Sequence, residues 1–219
     1  MCNKSKKDII DVSKYYAKNG KITVVAYAFF QPICLLYSKY IKLPGLPGFP
    51  HSIILLSATM LDSIINRLKY DNNQIQLDNP EFFLSYCKKN NILKIYDEYS
   101  EILLVRNIIA HNHVWFIEFN NNYDEISYEL LMGRKNKLFN KYADLKQLRT
   151  KNYQLHINPD KIDQNDVDVV LQLSNNFIEK IFEIEKSNGK NVLNPYIRKI
   201  KHNGKMYSFK EFLSLYNLV

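Results

Sequence analysis

The sequence predicts an all-α protein, an up-and-down bundle of four to five helices with a small β-hairpin insertion. Its 219 residues include only 6 Gly and 7 Pro, which favours long elements with few tight turns. Hydrophobic residues make up 46% of the chain and charged residues 24%, as in ordinary globular proteins. The length suits one hydrophobic core with appendages better than two full domains.

Residues 1–48 are predicted to form a helical extension packed on the core. Within them, residues 22–41 are largely apolar and approach the roughly 20 residues that span a bilayer. Pro32 and several polar residues interrupt this stretch, which favours a buried core helix kinked at Pro32 over a membrane span. The run LPGLPGFP at 43–50 breaks the chain before the core. We expect no stable membrane association, and membrane contact by 22–41 is the alternative.

The bundle is predicted over residues 49–189. Its first helix covers 51–70 and leaves Asp62 and Arg67 outside the apolar stripe. That stripe consists of Ile54, Ser57, Ala58, Leu61, Ile64, Ile65 and Leu68.

Further along the chain, Pro80 is placed to open a short second helix that ends before Asn90. A third helix is predicted over 92–111. Two runs rich in apolar residues, 114–119 and 126–130, lie on either side of an Asn run at 120–122 and indicate a small hairpin within 114–131.

The last long helix is predicted to begin after Asp163, a good N-cap residue, and to end near Lys186. Residues 190–219 form a basic and amphipathic C-terminal extension. We expect the extensions and the bundle to make one compact domain.

Charge and cysteine content narrow the classes of function. The net charge of +8 and pI of about 9.2 favour a polyanionic partner, RNA above all. Three scattered cysteines without metal spacing fit a reducing cytoplasm, and no signal peptide is recognisable at the start of the chain. There is no glycine-rich phosphate loop, nucleophile elbow, CxxC or HExxH motif.

The most informative stretch is RNIIAH at 106–111, inside an otherwise apolar run. At 100° per residue, Arg106 lies on the helix stripe that also carries Ile95, Tyr99 and Ile102. A guanidinium stays charged on such a face, so it must be paired or must line a site that water or a ligand enters. Asn107 and His111 are four residues apart and share one edge of the same helix.

The pattern Arg106-Asn107-x-x-x-His111 resembles the R-N-x-x-x-H motif of HEPN domains, a superfamily of small helical bundles. The resemblance extends over roughly 49–188. It implies a metal-independent ribonuclease of a bacterial toxin–antitoxin or phage-defence system, without cofactors. It also implies a homodimer in which two copies of the motif meet at one composite site, and an antitoxin or other regulatory protein as a further partner.

In that interpretation His111 moves a proton during 2′-OH attack, Arg106 stabilises the charge on the phosphate, and Asn107 orients His111 or holds the phosphate. The apolar stripe around Ile95, Tyr99 and Ile102 is expected to help form the dimer interface. The alternative is a catalytically silent module that binds RNA or protein, in which Arg106 pairs with a carboxylate such as Asp62, His111 ends the helix and Asn107 bonds the backbone.

Two further groups complete the candidate site. His113 occupies the position where some HEPN toxins carry a Tyr, so regulation by modification of that Tyr is in doubt for this chain. The spacing of His111 and His113 is only a weak signal for a metal site, and we expect no metal. The remaining histidines, including His156, are expected at the surface or in caps. The basic stretch at 133–151 is predicted either to bind RNA phosphates or to be a solvated helix face; its foremost candidates are Arg134, Lys135, Lys137 and Lys141.

Overall fold

The computed structural model describes residues 28–45, 48–110, 137–189 and 199–219, together with the backbone of two strands at 115–119 and 125–130. This part of the chain contains seven helices and three antiparallel strand pairs. The helices are α1 (Phe30–Lys42), α2 (Phe49–Asp71), α3 (Asn79–Lys89), α4 (Leu93–Ala110), α5 (Lys137–Tyr142), α6 (Gln164–Ser187) and α7 (Phe209–Ser214). The strand pairs are β1 (Trp115–Phe119) with β2 (Glu125–Leu130), β3 (Ala143–Asp144) with β4 (Arg149–Thr150), and β5 (Ile200–His202) with β6 (Lys205–Tyr207).

The long helices of the bundle form where the apolar periodicity predicts them. Every residue of the stripe predicted for α2 is buried, whereas Asp62 and Arg67 are only half-buried. Helix α6 begins after Asp163, whose side chain accepts from the backbone N–H of Asp166 while the Asp166 side chain accepts from that of Asp163. This reciprocal capping box satisfies backbone donors that the helix leaves free, and it fixes the start of α6. The mostly helical character and the predicted hairpin are confirmed.

Helix α1 corrects the expectation of a helix kinked at Pro32. It begins at Phe30, so Pro32 lies in the first turn. A proline is tolerated there because the N–H groups of a first turn have no acceptor within the helix. Residues 22–27 of the predicted helix lie outside the described residues. Among the described helices, none combines the length and the apolarity that crossing a bilayer requires.

Helix α4 is buried almost all round, and the burial extends to Glu98, Ser100 and Glu101, which its apolar run did not indicate. It packs against α2, α3, α5 and α6, and every residue from Glu98 to Val105 is buried. Ile95, Tyr99 and Ile102 therefore lie inside the chain, at 5%, 1% and 1% exposure. The expectation that these three side chains help form a dimer interface is wrong, because α2, α3 and α6 already cover them.

The predicted hairpin is one of three strand pairs in the described part of the chain. The other two arise in the basic stretch, where β3 and β4 follow the short helix α5, and in the C-terminal extension, where β5 and β6 precede α7. Asn203 and Gly204 lie between β5 and β6, and both have positive φ, as a tight turn requires.

The last residues of the chain pack on α1. The side-chain amide of Gln31 accepts from the backbone N–H of Lys201 at 2.8 Å and donates to the Lys201 carbonyl at 3.1 Å. It therefore pairs with β5 in the way that the backbone of an adjacent strand does. Phe30 stacks on Phe209 with ring centroids 4.8 Å apart. The main core thus draws side chains from α1, from the bundle and from α7.

Candidate functional site: the Arg106 cluster

Arg106 is held by a carboxylate from another helix. Its Nη2 donates to Oδ2 of Asp62 on α2 at 2.8 Å. The two side chains are 26% and 21% exposed, so the pair lies at the edge of the core and solvent reaches it. The Nε and Nη1 groups of Arg106 make no hydrogen bond to any residue that the structure describes. Within the described part of the chain, only one of the five guanidinium N–H groups is therefore engaged.

Asp62 is itself fixed by two neutral donors. The Tyr99 hydroxyl donates to Oδ1 of Asp62 at 2.7 Å, and Nδ2 of Asn79 donates to the same oxygen at 3.3 Å. Burial and the adjacent Asp62 carboxylate raise the pKa of the Tyr99 phenol, which keeps it a hydrogen-bond donor at neutral pH. Because Tyr99 and Arg106 are seven residues apart on α4, both reach the same side of the helix.

A second cation, Lys69, contacts Asn79. The Nζ of Lys69 donates to Oδ1 of Asn79 at 3.1 Å, and Lys69 as a whole is only 8% exposed. Among the described residues, no carboxylate lies within ion-pair distance of Lys69. Asp62, Arg106, Tyr99, Asn79 and Lys69 form one hydrogen-bonded group, which we name the Arg106 cluster.

The Arg106 cluster carries a surplus of positive charge. Its ionised groups are one carboxylate, one guanidinium and one ammonium, which leaves one positive charge without a negative partner in the described part of the chain. Burying such a charge is costly unless an anion or a polar network compensates it. The arrangement can therefore bind an anion at the exposed edge of Arg106.

The other motif residues lie at the end of the described segment 48–110 or beyond it. Asn107 is half-buried in the last turn of α4, which ends at Ala110. His111 and His113 lie outside the described residues, so their placement relative to Arg106 stays a prediction. The pairing of Arg106 with Asp62, weighed from the sequence as the alternative to a catalytic role, is present in the structure.

The basic stretch divides between exposed and engaged cations. Lys137 and Lys146 are exposed, whereas Arg134 and Lys135 lie outside the described residues. Lys141 lies 4.5 Å from the ring centroid of Tyr142, and its Nζ is 3.5 Å from the Asp97 carboxylate. The other two cations serve the local fold, since Lys151 donates to the carbonyls of Asn140 and Lys141, and Arg149 donates to the carbonyl of Gln154.

His156, expected at the surface or in a cap, belongs to the hydrogen-bond network that caps α6. Its Nδ1 lies 2.8 Å from Oδ2 of the fully buried Asp166, and its Nε2 lies 2.7 Å from Nη2 of Arg149. With Asp163, these groups are close enough to hold a metal ion. However, the Asp166 oxygens already accept from His156 and from two backbone N–H groups, and Arg149 places a cation against the ring. The arrangement serves as the cap of α6.

Lys69 and Asn79 were missed as site residues in the sequence, and Tyr99 was recognised only as part of an apolar stripe. A signal for Lys69 exists, because it follows Asp62 by seven residues and so shares its side of α2. No such signal exists for Asn79, since its contact depends on how α3 packs against α2. Comparison of the chain with protein-family models, with curated proteins and with solved structures finds no match.

Proposed function

We propose that this protein is a HEPN-like, metal-independent endoribonuclease of a bacterial toxin–antitoxin or phage-defence system. The observation that carries the proposal is the position of Arg106, a partly exposed guanidinium near the end of a buried helix and five residues before His111. Its Nε and Nη1 groups make no hydrogen bond to any other described residue, and the described residues of the Arg106 cluster contain one more cation than carboxylate. These are the properties that a phosphate-binding group needs.

The chemistry would proceed by attack of the ribose 2′-OH on the adjacent phosphorus. A base takes the 2′-proton as the O–P bond forms, and the bond from phosphorus to the 5′-oxygen breaks as that oxygen accepts a proton. Arg106 stabilises the added negative charge, and His111 supplies one of the two proton-transfer groups. The second group would come from His111 of another copy across a dimer, which is why we propose a composite site.

The chemical ends of the RNA products distinguish 2′-OH attack from other cleavage mechanisms. RNA fragments should end in a 2′,3′-cyclic phosphate, and a 2′-deoxy sugar at the cleaved nucleotide should block the reaction, because the attacking oxygen is then absent. Cleavage of DNA at a comparable rate would exclude the route.

The test of the proposed function is incubation of purified protein with tRNA and mRNA in EDTA. Arg106→Ala and His111→Ala should abolish cleavage and any growth toxicity. Arg67→Ala and His51→Ala are the matched controls, since both residues lie on α2 outside the Arg106 cluster, and they should remain active. Wild-type cleavage by the His111→Ala variant would remove His111 from the mechanism.

A second candidate function is a silent HEPN-like module that binds RNA or a protein without cleaving. The observation that favours it is the Asp62–Arg106 ion pair, because an arginine with a carboxylate partner also satisfies a purely structural role. The same EDTA experiment decides between the two functions. A wild-type protein that retards RNA in a gel shift but leaves it intact would support the silent module.

A further inference from the structure

Asp62 is fixed more firmly than an ion pair alone requires. Both of its oxygens are used, one by Arg106 and the other by Tyr99 and Asn79, and Asn79 is held in turn by Lys69. The Tyr99 ring is packed in the core, with its centroid 5.3 Å from that of Phe83 in an edge-to-face contact. A carboxylate held in this way gives Arg106 one fixed orientation.

We propose that Tyr99 and Asn79 are positioning residues that act through Asp62 to aim the remaining N–H groups of Arg106 at a phosphodiester. A surface arginine samples many rotamers, and fixing it before the ligand arrives removes that entropic cost from the binding or catalytic step. The Nη2–Asp62 hydrogen bond uses one of the five N–H groups of the guanidinium, so Asp62 sets the orientation without engaging the other four.

The charge of the Arg106 cluster indicates which anion fits. Among the described residues of the cluster, one carboxylate and two cations leave a single positive charge, and the Lys69 ammonium is bonded to Asn79. A phosphodiester carries one negative charge and complements this surplus. The ligand class is therefore an internal phosphate of a nucleic acid strand. This point rests on the proposed function, whereas the positioning of Arg106 by Tyr99 and Asn79 does not.

The chain offers a matched control for the removal of the Tyr99 hydroxyl. Tyr86 on α3 also donates to a buried carboxylate, Glu185, at 2.9 Å, and it lies outside the Arg106 cluster. Tyr99→Phe and Tyr86→Phe each delete one phenol hydroxyl and keep the ring. Any effect of lost stability alone should appear in both variants. Asn79→Ala is a second test variant at a position outside the core.

The first measurement is the NMR signal of the Arg106 side-chain Nε–H group, assigned with Arg106→Lys. We expect an ordered Nε–H in the wild type and in Tyr86→Phe, and a mobile one in Tyr99→Phe and Asn79→Ala. Titration with a 2′-deoxy dinucleoside monophosphate should shift this signal in the wild type and shift it less in the two test variants. An Nε–H group as ordered in Tyr99→Phe as in Tyr86→Phe would overturn the proposal.

The second measurement is RNA turnover. A positioning role predicts that Tyr99→Phe lowers kcat about tenfold to a hundredfold with little change in KM, because misplacement weakens the transition state more than the bound substrate. Tyr86→Phe should keep wild-type kcat. Equal kcat values in the two variants would also overturn the proposal. If the wild type neither cleaves RNA nor responds to the dinucleotide, the proposed function fails, and the order of the Arg106 Nε–H group still decides the positioning claim.

Discussion

The Glu98 carboxylate lies directly against the Asn176 amide, whose Nδ2 donates to Oε1 at 3.0 Å and to Oε2 at 2.7 Å. Glu98 is 1% exposed, and it also accepts from the Tyr153 hydroxyl at 3.2 Å. Its described hydrogen-bond partners are neutral, and the charge of Lys94 lowers its pKa less than these hydrogen bonds do. Burial raises the pKa of Glu98, and the hydrogen bonds from Asn176 and Tyr153 offset this only in part.

Glu98 should make stability depend on pH in a definite direction. Because its pKa in the folded state is above the unfolded value of about 4.3, its contribution is fully present below that pH and is lost as pH rises through the folded pKa. The difference in urea midpoint between wild type and Glu98→Gln should therefore fall as pH is raised above about 4. Glu183→Gln, at an exposed position, is the control. A difference that stays constant with pH would contradict this prediction.

Removing the Asp62 carboxylate should destabilise the fold. Asp62→Ala leaves the Arg106 guanidinium and the Tyr99 hydroxyl without their acceptor, and we expect a loss of about 2 kcal/mol in the free energy of unfolding. Urea denaturation measures it. Glu183→Ala breaks the exposed Lys180–Glu183 pair and should change stability by less than about 0.5 kcal/mol. Equal effects of the two substitutions would mean that the Arg106 cluster adds nothing to stability.

Two groups of cations in the basic stretch should contribute differently to RNA binding and to stability. Replacing Arg134, Lys135 and Lys137 with Gln should weaken RNA binding and flatten its salt dependence by up to about 0.7 per lost phosphate contact. Lys141→Gln should mainly reduce stability, because the Lys141 ammonium already contacts Tyr142 and Asp97. Binding measured from 50 to 200 mM salt checks both expectations. An unchanged slope in the triple variant would identify the stretch as a solvated face.

We expect a two-fold dimer in which the motif ends of the two α4 helices approach each other. One His111 per chain is a poor match for a reaction that needs both a base and an acid, and an isologous interface supplies the second copy. Sedimentation at micromolar concentration gives the oligomeric state. In mixtures of wild type with Arg106→Ala, the activity relative to pure wild type should be lower than the fraction of wild-type chains in the mixture. Activity proportional to that fraction, or an active monomer, would contradict the composite site.

The sequence predicted the elements whose signals are local. Asp163 and an apolar stripe were sufficient to place α6, and the periodicity around Leu61 was sufficient to place α2. The burial of Glu98, Ser100 and Glu101 in α4 was not predictable from its own residues, because it depends on how many helices surround α4. The same holds at the site, where the sequence offered Asp62 as an alternative partner for Arg106, and only the packing of α2 against α4 joins the two.

The structure of the basic stretch was likewise not predictable from the residues of the stretch alone. Its charges indicated either an RNA-binding surface or a solvated helix, but it folds into α5 and a tight strand pair. The Glu101 carboxylate accepts from the backbone N–H groups of Asn152 and Tyr153 at 3.0 Å each. These contacts join residues about 50 positions apart, so no spacing within the stretch could indicate them.

The docking of the C-terminal residues on α1 has a consequence for synthesis on the ribosome. The α1 residues Gln31 and Phe30 are translated some 170 residues before their partners Lys201 and Phe209. At about 5–20 residues per second, Phe30 and its neighbours remain without these partners for on the order of 10 to 35 s. During that interval a nascent chain presents an apolar surface to chaperones, and slowing translation of the codons that precede Lys201 should lengthen it.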